Sequence, residues 1–181
     1  YGPISEWDES LRQPPGVKGE VVVRAPWVTK EYFGRREATR NSKIRSDLGL
    51  WHRMGDVGYF DDLNRLWFCG RKDHRIFTDG EVVYPDPIEA IFDSHPGVGL
   101  SALVWVGPKG RQRPVLVIEG KRRPAKVVNE IMGLAERSPK VGPLTAVTFR
   151  KRFPVDVRHN IKIDRPRLAE LVQGELSCDP S

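Results

Sequence analysis

Between Leu50 and Cys69 the chain runs through residues that favour extended backbone, and it is interrupted once, at Asp61-Asp62-Leu63-Asn64. Two strand-like segments around a short turn-forming cluster fold most simply as a hairpin. The first segment is expected to reach Asp56, and the second to cover Arg65–Cys69 and lead into Gly70-Arg71-Lys72-Asp73. A carboxylate and an arginine then lie at the ends of paired strands. There a stiff sheet aims polar side chains at a ligand while adjacent loops stay free to move.

On either side of this hairpin the punctuation is equally legible. Pro14-Pro15-Gly16 marks a loop, and Gly19 precedes a strand over Glu20–Arg24. Beyond Asp73, short strands are expected at Arg75–Thr78 and Glu81–Tyr84, around the Asp79-Gly80 turn. A helix follows, with Asp86 as its cap, Pro87 at its first position, Glu89 closing a capping box, and Ile88, Ile91 and Phe92 as its apolar face. Ser94-His95-Pro96-Gly97 ends it. Strands at Ala102–Val106 and Pro114–Ile118, a helix from Pro124, a strand over Leu144–Phe149 and a terminal amphipathic helix over Arg167–Leu176 complete an α+β chain.

Composition narrows the function classes. The apolar fraction of 39% in 181 residues supports a core in one domain or two small ones. No apolar run is long enough for a transmembrane span, which points to a soluble, cytoplasmic protein. The charge of +6 arises from 30 Lys and Arg against 24 Asp and Glu. The basic pairs Arg122-Arg123 and Lys151-Arg152 stand in surface loops with no nucleic-acid motif around them, so no nucleic-acid partner is expected. Cys69 and Cys178 lack ligand or disulfide spacing and read as reduced thiols; His95 sits in a turn without a ligand cluster, and no metal site is expected.

Several side chains carry two readings each. Asp56 either satisfies turn N–H groups beside Gly55 or accepts hydrogen bonds from a ligand's hydroxyls. Arg71 suits a ribose oxygen, a phosphate, a carboxylate or a surface salt bridge. Tyr32, Phe33, Trp51, Tyr59, Phe60, Trp67 and Phe68 are expected mainly to pack in a core, a loop or a domain interface.

Taken together, Met54-Gly55-Asp56, Gly70-Arg71-Lys72-Asp73, Asp79-Gly80-Glu81 and Tyr84-Pro85-Asp86-Pro87-Ile88-Glu89 resemble the boundary region of the adenylate-forming superfamily. That family contains acyl-CoA synthetases, luciferases and nonribosomal adenylation domains. The resemblance implies that residues 1–72 are the β-rich last subdomain of a large adenylating domain, and that 73–181 form its small mobile α+β carboxy-terminal domain. It implies Asp56 and Arg71 as nucleotide-binding residues on the ribose side, and Asp73 as the hinge. Ala25 and Glu31 stand where relatives carry glycine, and Met54 replaces the usual threonine beside the phosphate region.

Lys162-Ile163-Asp164-Arg165 is similar to the family's K-I-x-R, which makes Lys162 the catalytic lysine that closes over the site during adenylation. A mobile ammonium there stabilises the transferring group without acting as a base; the alternative is a solvent lysine. Asn160-Ile161 replaces the common Ser-Gly, in a longer loop from Pro154. With WHRMGDVGYF and LWFCGRK, the stretch FPVDVRHN resembles the olefin-biosynthesis β-lactone synthetases, in which a long-chain β-hydroxy acid is activated with ATP and closed to a β-lactone. His159 and Asn160 become accessory residues, His159 either assisting proton transfer or holding the loop.

The resemblance further implies ATP with Mg2+ as co-substrate and a long-chain acyl substrate. Its partners would be the missing amino-terminal portion of the same enzyme and other olefin-biosynthesis enzymes. The family's phosphate loop is absent, so the 181 residues alone are expected to be inactive. A long-chain fatty-acyl-CoA or acyl-AMP ligase, and a noncatalytic interaction fragment, are the alternatives.

Overall fold

The computed structural model describes residues 2–138, 141, 144–156 and 159–177, with only the backbone given for 159–161 and 177. The chain divides into two compact units, Tyr1–Asp73 and His74–Ser181.

The first unit is a single antiparallel sheet with one short helix. Its elements are β1 (Gly19–Arg24), α1 (Arg36–Ser42), β2 (Lys43–Ser46), β3 (Gly49–Phe60) and β4 (Leu66–Arg71). The long central β3 pairs with β1, β2 and β4. The expected hairpin is present, with its first strand running beyond Asp56 to Phe60. Asp61 organises the turn: Oδ1 accepts from the Leu63 and Arg65 amides, and Oδ2 accepts from Arg65 Nε at 2.7 Å and Trp67 Nε1 at 2.8 Å. Asn64 takes the left-handed backbone (φ 57°) that tight turns ask of asparagine or glycine.

One sheet and one helix cannot cover both faces of β3 and β4. Ile44, Val57 and Cys69 are the buried apolar residues of this unit among those described. At several positions the aromatics therefore do not pack in a core of this unit. Phe33 is 100% exposed, and Phe60 on β3 and Trp67 and Phe68 on β4 are exposed as well. Tyr59 stacks on Trp67, and Trp51 stacks on Trp7 at 4.5 Å between ring centroids. α1 and β2 lie where no element was expected, because Arg36–Ser42 is polar all round and carries no apolar periodicity.

The second unit begins with a minimal pair, β5 (Ile76–Phe77) and β6 (Val82–Val83), followed by α2 (Pro85–Asp93). β7 (Ser101–Val106) and β8 (Arg113–Glu119) are antiparallel; α3 (Ala125–Arg137) then crosses over to β9 (Ala146–Arg150), which is parallel to β8. β10 (Val155–Asp156) and β11 (His159–Ile163) pair antiparallel before α4 (Arg165–Ser177). Both faces of the three-stranded sheet are apolar, so β7 and β8 read as nearly continuous hydrophobic runs. Leu103, Leu116 and Ile118 join Ile88, Phe92 and Ile131 on one face; Ala102, Val104, Val115 and Val117 join Leu168 and Val172 on the other. Trp105 packs against both groups. The α+β expectation is met.

The capping box expected at α2 is not formed. Pro85, not Pro87, occupies the first turn's opening, Tyr84 stands at the cap without a side-chain hydrogen bond, and Glu89 is drawn into the interior instead. A buried carboxylate needs charge and donors, and Glu89 finds both away from its own helix. Leu103 N–H donates to its Oε1, and Arg165 approaches it with two nitrogens.

Candidate functional site

The β1–β3 ladder contains the irregularity that shapes the site. From the pair Glu20–Val57 to the pair Val22–Arg53, β1 advances two residues while β3 advances four. The surplus bulges β3 at Met54-Gly55-Asp56, and such bulges re-aim side chains beside functional sites. Gly55 takes φ 71°, a conformation costly for any residue with a Cβ.

Asp56 lies directly opposite Arg71 in the β3–β4 ladder. Arg71 Nη1 donates to Asp56 Oδ1 at 2.8 Å and to the Met54 carbonyl, part of the bulge, at 3.1 Å. The guanidinium also lies over Gly55, where an added Cβ would come 3.2 Å from Nη2. Side-chain exposure of 25% for Asp56 and 50% for Arg71 leaves lone pairs and N–H groups facing outward. The pair thus presents an acceptor beside a planar donor set, which is the chemistry needed to hold vicinal hydroxyls and an adjacent anionic group. Of the readings of Arg71, the salt bridge is the one present, and at 50% exposure the guanidinium keeps donors open to solvent.

The following residues are anchored from inside the sheet. Glu20 Oε2 accepts from Arg53 Nη2 at 2.6 Å and Nε at 3.1 Å, while Oε1 accepts from Lys72 Nζ at 3.0 Å. Arg53 also donates to the carbonyls of Gly2 and Asn41. Burial alone would raise the Glu20 carboxyl's pKa, but the Arg53 and Lys72 hydrogen bonds and charges outweigh it and hold the group below its ordinary value. Asp73 follows in a single 3-10 turn over Lys72–His74 and is exposed.

Lys162 lies on β11 with an exposed side chain. Three residues later Arg165 is buried against α2: Nη2 donates to Glu89 Oε2 at 2.8 Å and to Asp86 Oδ1 at 3.3 Å, and Nη1 to Glu89 Oε1. Desolvation opposes the Arg165 charge, and Glu89 with Asp86 more than restores it, raising its pKa above the ordinary value. The side chains of His159 and Asn160, and the whole of Cys178, lie outside the described residues. Asp56 and Arg71 are brought together, and Lys162 belongs to the second unit. The Glu20–Arg53–Lys72 and Glu89–Arg165 networks were not foreseen. Charged residues inside strand runs, Glu20 in GEVVVR and Arg53 in LWHRM, were the available signal. Among the described residues no three His, Cys, Asp or Glu converge as a metal site, and no helix is long and apolar enough to cross a membrane.

No protein-family profile matches the chain. It is 42% identical over 176 residues to an olefin beta-lactone synthetase of Xanthomonas campestris pv. campestris, an alignment covering 92% of this chain and 32% of the relative. Among solved structures it is similar to o-succinylbenzoate CoA synthetase (MenE) from Bacillus subtilis in complex with the acyl-adenylate intermediate OSB-AMP. That match has a TM-score of 0.75 at 25% identity and covers 91% of this chain and 33% of that one. The same enzyme in complex with ATP and magnesium ion matches with a TM-score of 0.71 at 26% identity, covering 91% and 33%. The chain thus spans about a third of the length of the proteins it matches. Within that span, sequence and fold agree that the chain is related to olefin beta-lactone synthetases and similar to acyl-adenylate-binding CoA synthetases.

Proposed function

We propose that the 181 residues are part of an AMP-forming enzyme that activates a long-chain β-hydroxy acid with ATP and closes the acyl-adenylate to a β-lactone. The observation that carries this reading is the 42% identity to an olefin beta-lactone synthetase over 92% of the chain. In it, Asp56 accepts hydrogen bonds from the ribose hydroxyls and Arg71 donates to the same side of the nucleotide. Lys162 holds negative charge on carboxylate and phosphate oxygens as the acyl–phosphate bond forms and pyrophosphate departs. The substrate's own hydroxyl then attacks the acyl carbon and AMP leaves. Residues 1–72 form the end of the large domain, 73–181 the small one, and Asp73 the hinge between the two half-reactions. His159 and Asn160 assist the lysine loop.

The residues present fit ATP. An outward-facing carboxylate beside a guanidinium matches a ribose next to phosphates, and Mg2+ enters with the phosphates rather than through a protein cage. The remaining two thirds of the relatives' length, and enzymes supplying the acid or consuming the lactone, are the partners in this reading, with the cytoplasm as its location. A CoA-ligase reading is supported by the likeness to CoA synthetase structures and to CoA-ligase sequences over about half of the chain.

Product analysis decides between them. The full-length protein is incubated with Mg-ATP and a racemic long-chain β-hydroxy acid, with and without CoA, beside Lys162→Ala. A β-lactone formed without CoA and suppressed in the variant is expected. A CoA thioester would transfer the protein to the ligase class, and a folded full-length protein that forms no adenylate would sink the enzymatic reading.

A further inference from the structure

We propose that Glu20 is a positioning residue for the two half-reactions, seating Lys72 so that backbone rotation at the end of the first unit is confined to the residues after it. The inference rests on the functional reading above, and its own support is geometric. The boundary between the units falls after Asp73, and Lys72 is the last side chain before it with a described anchor into the first unit. That anchor is the interior of the sheet. Glu20 and Lys72 side chains are 18% and 22% exposed, and the carboxylate is itself fixed by Arg53, which is buried and tied to the Gly2 and Asn41 carbonyls.

Glu20 reaches Lys72 across the strand order. It stands on β1, on the far side of β3 from β4, at the point where the surplus residues of β3 arch away. Through Glu20 the same local distortion therefore serves two ends: it frees Asp56 toward Arg71, and it lets one carboxylate hold both Arg53 on β3 and the residue that follows β4. A lysine in a solvated turn is free to follow the backbone. A lysine ion-paired at 3.0 Å to a half-buried carboxylate that is itself held by a buried arginine resists any dihedral change that would withdraw it. Asp73 is exposed and makes no ion pair among the described residues, so rotation is concentrated there.

Two substitutions test this in the full-length protein: Glu20→Gln, which keeps the shape of the side chain, and Lys72→Met, which keeps its stem; Lys72→Arg serves as the conservative rescue. Hydrogen exchange by mass spectrometry is read over residues 70–74, beside ATP–pyrophosphate exchange for the first half-reaction and product release from supplied acyl-adenylate for the second. The expected result is amide exchange at 70–74 faster by about tenfold, with the ratio of the two half-reaction rates shifted by about fivefold or more and restored by Lys72→Arg. Unchanged amide exchange would remove the anchor. Faster exchange with both half-reactions altered by the same factor would leave a merely structural ion pair and overturn the positioning role. Wild-type protein without ATP–pyrophosphate exchange would overturn the functional reading itself, and the positioning role with it, whatever the amides show.

Discussion

Asp56 and Arg71 face one another across the β3–β4 ladder, joined at 2.8 Å, with the guanidinium laid over Gly55 and hydrogen-bonded to the carbonyl before it. The arginine closes the bulge that exposes the aspartate, so the two residues form one device. Truncating Asp56 to Ala in the full-length protein is expected to weaken ATP binding by about 10- to 100-fold, the worth of charged hydrogen bonds. Calorimetric titration with ATP checks it; an unchanged affinity would return Asp56 to the role of a turn residue.

Gly55→Ala probes the same device without touching a charge. The new methyl would sit 3.2 Å from Arg71 Nη2 on a backbone of φ 71°. A loss of about 1 kcal/mol in stability is expected from the left-handed conformation, together with weaker nucleotide binding as Arg71 is displaced. Thermal denaturation and ATP titration on the same variant separate the two effects.

The Glu89–Arg165 pair, with side chains 10% and 7% exposed, joins α2 to the start of α4. Removing one partner strands a buried charge. Glu89→Leu alone should cost about 3–5 kcal/mol in urea denaturation, whereas the double change Glu89→Leu with Arg165→Met should recover most of it. If the double variant is no more stable than the single one, the loss comes from packing rather than from the orphaned charge.

Acid sensitivity follows from Glu20. Its folded-state pKa is depressed, so between that value and the unfolded carboxylate value of about 4.3 the unfolded chain binds more protons. The Glu20 contribution is therefore complete above the unfolded value and is lost as pH falls through the folded one. Glu20→Gln should flatten stability against pH below about 4.3 while lowering it at neutral pH. A parallel acid limb in variant and wild type would assign the sensitivity to other carboxylates.

How much of this was legible beforehand depended on distance along the chain. The β3–β4 hairpin, the order of elements from β5 to β9 with the terminal helix, and the meeting of Asp56 with Arg71 depend on patterns of a few residues, which a sequence displays directly; the β10–β11 pair that carries Lys162 reads in the sequence only as a loop. The pairing of Glu20 with Lys72, 52 residues apart, and of Glu89 with Arg165, 76 apart, depends on how strands and helices are brought side by side. Glu89 illustrates the contest. A capping box at α2 was locally reasonable, but burial against β7 set the carboxylate beside an arginine and a free amide, and the stronger partners prevailed. The exposed aromatics show the opposite case: hydrophobic character predicts burial only where some element is available to cover the face.

The tryptophans fall unevenly between the two units. Trp7, Trp27, Trp51 and Trp67 belong to the first, and Trp105 to the second, where it touches both apolar groups that flank the sheet. A chain in which the first four are replaced by Phe would fluoresce from Trp105 alone. Its tryptophan emission would report the melting of the second unit by itself, giving that half of the molecule its own optical signature without an attached dye.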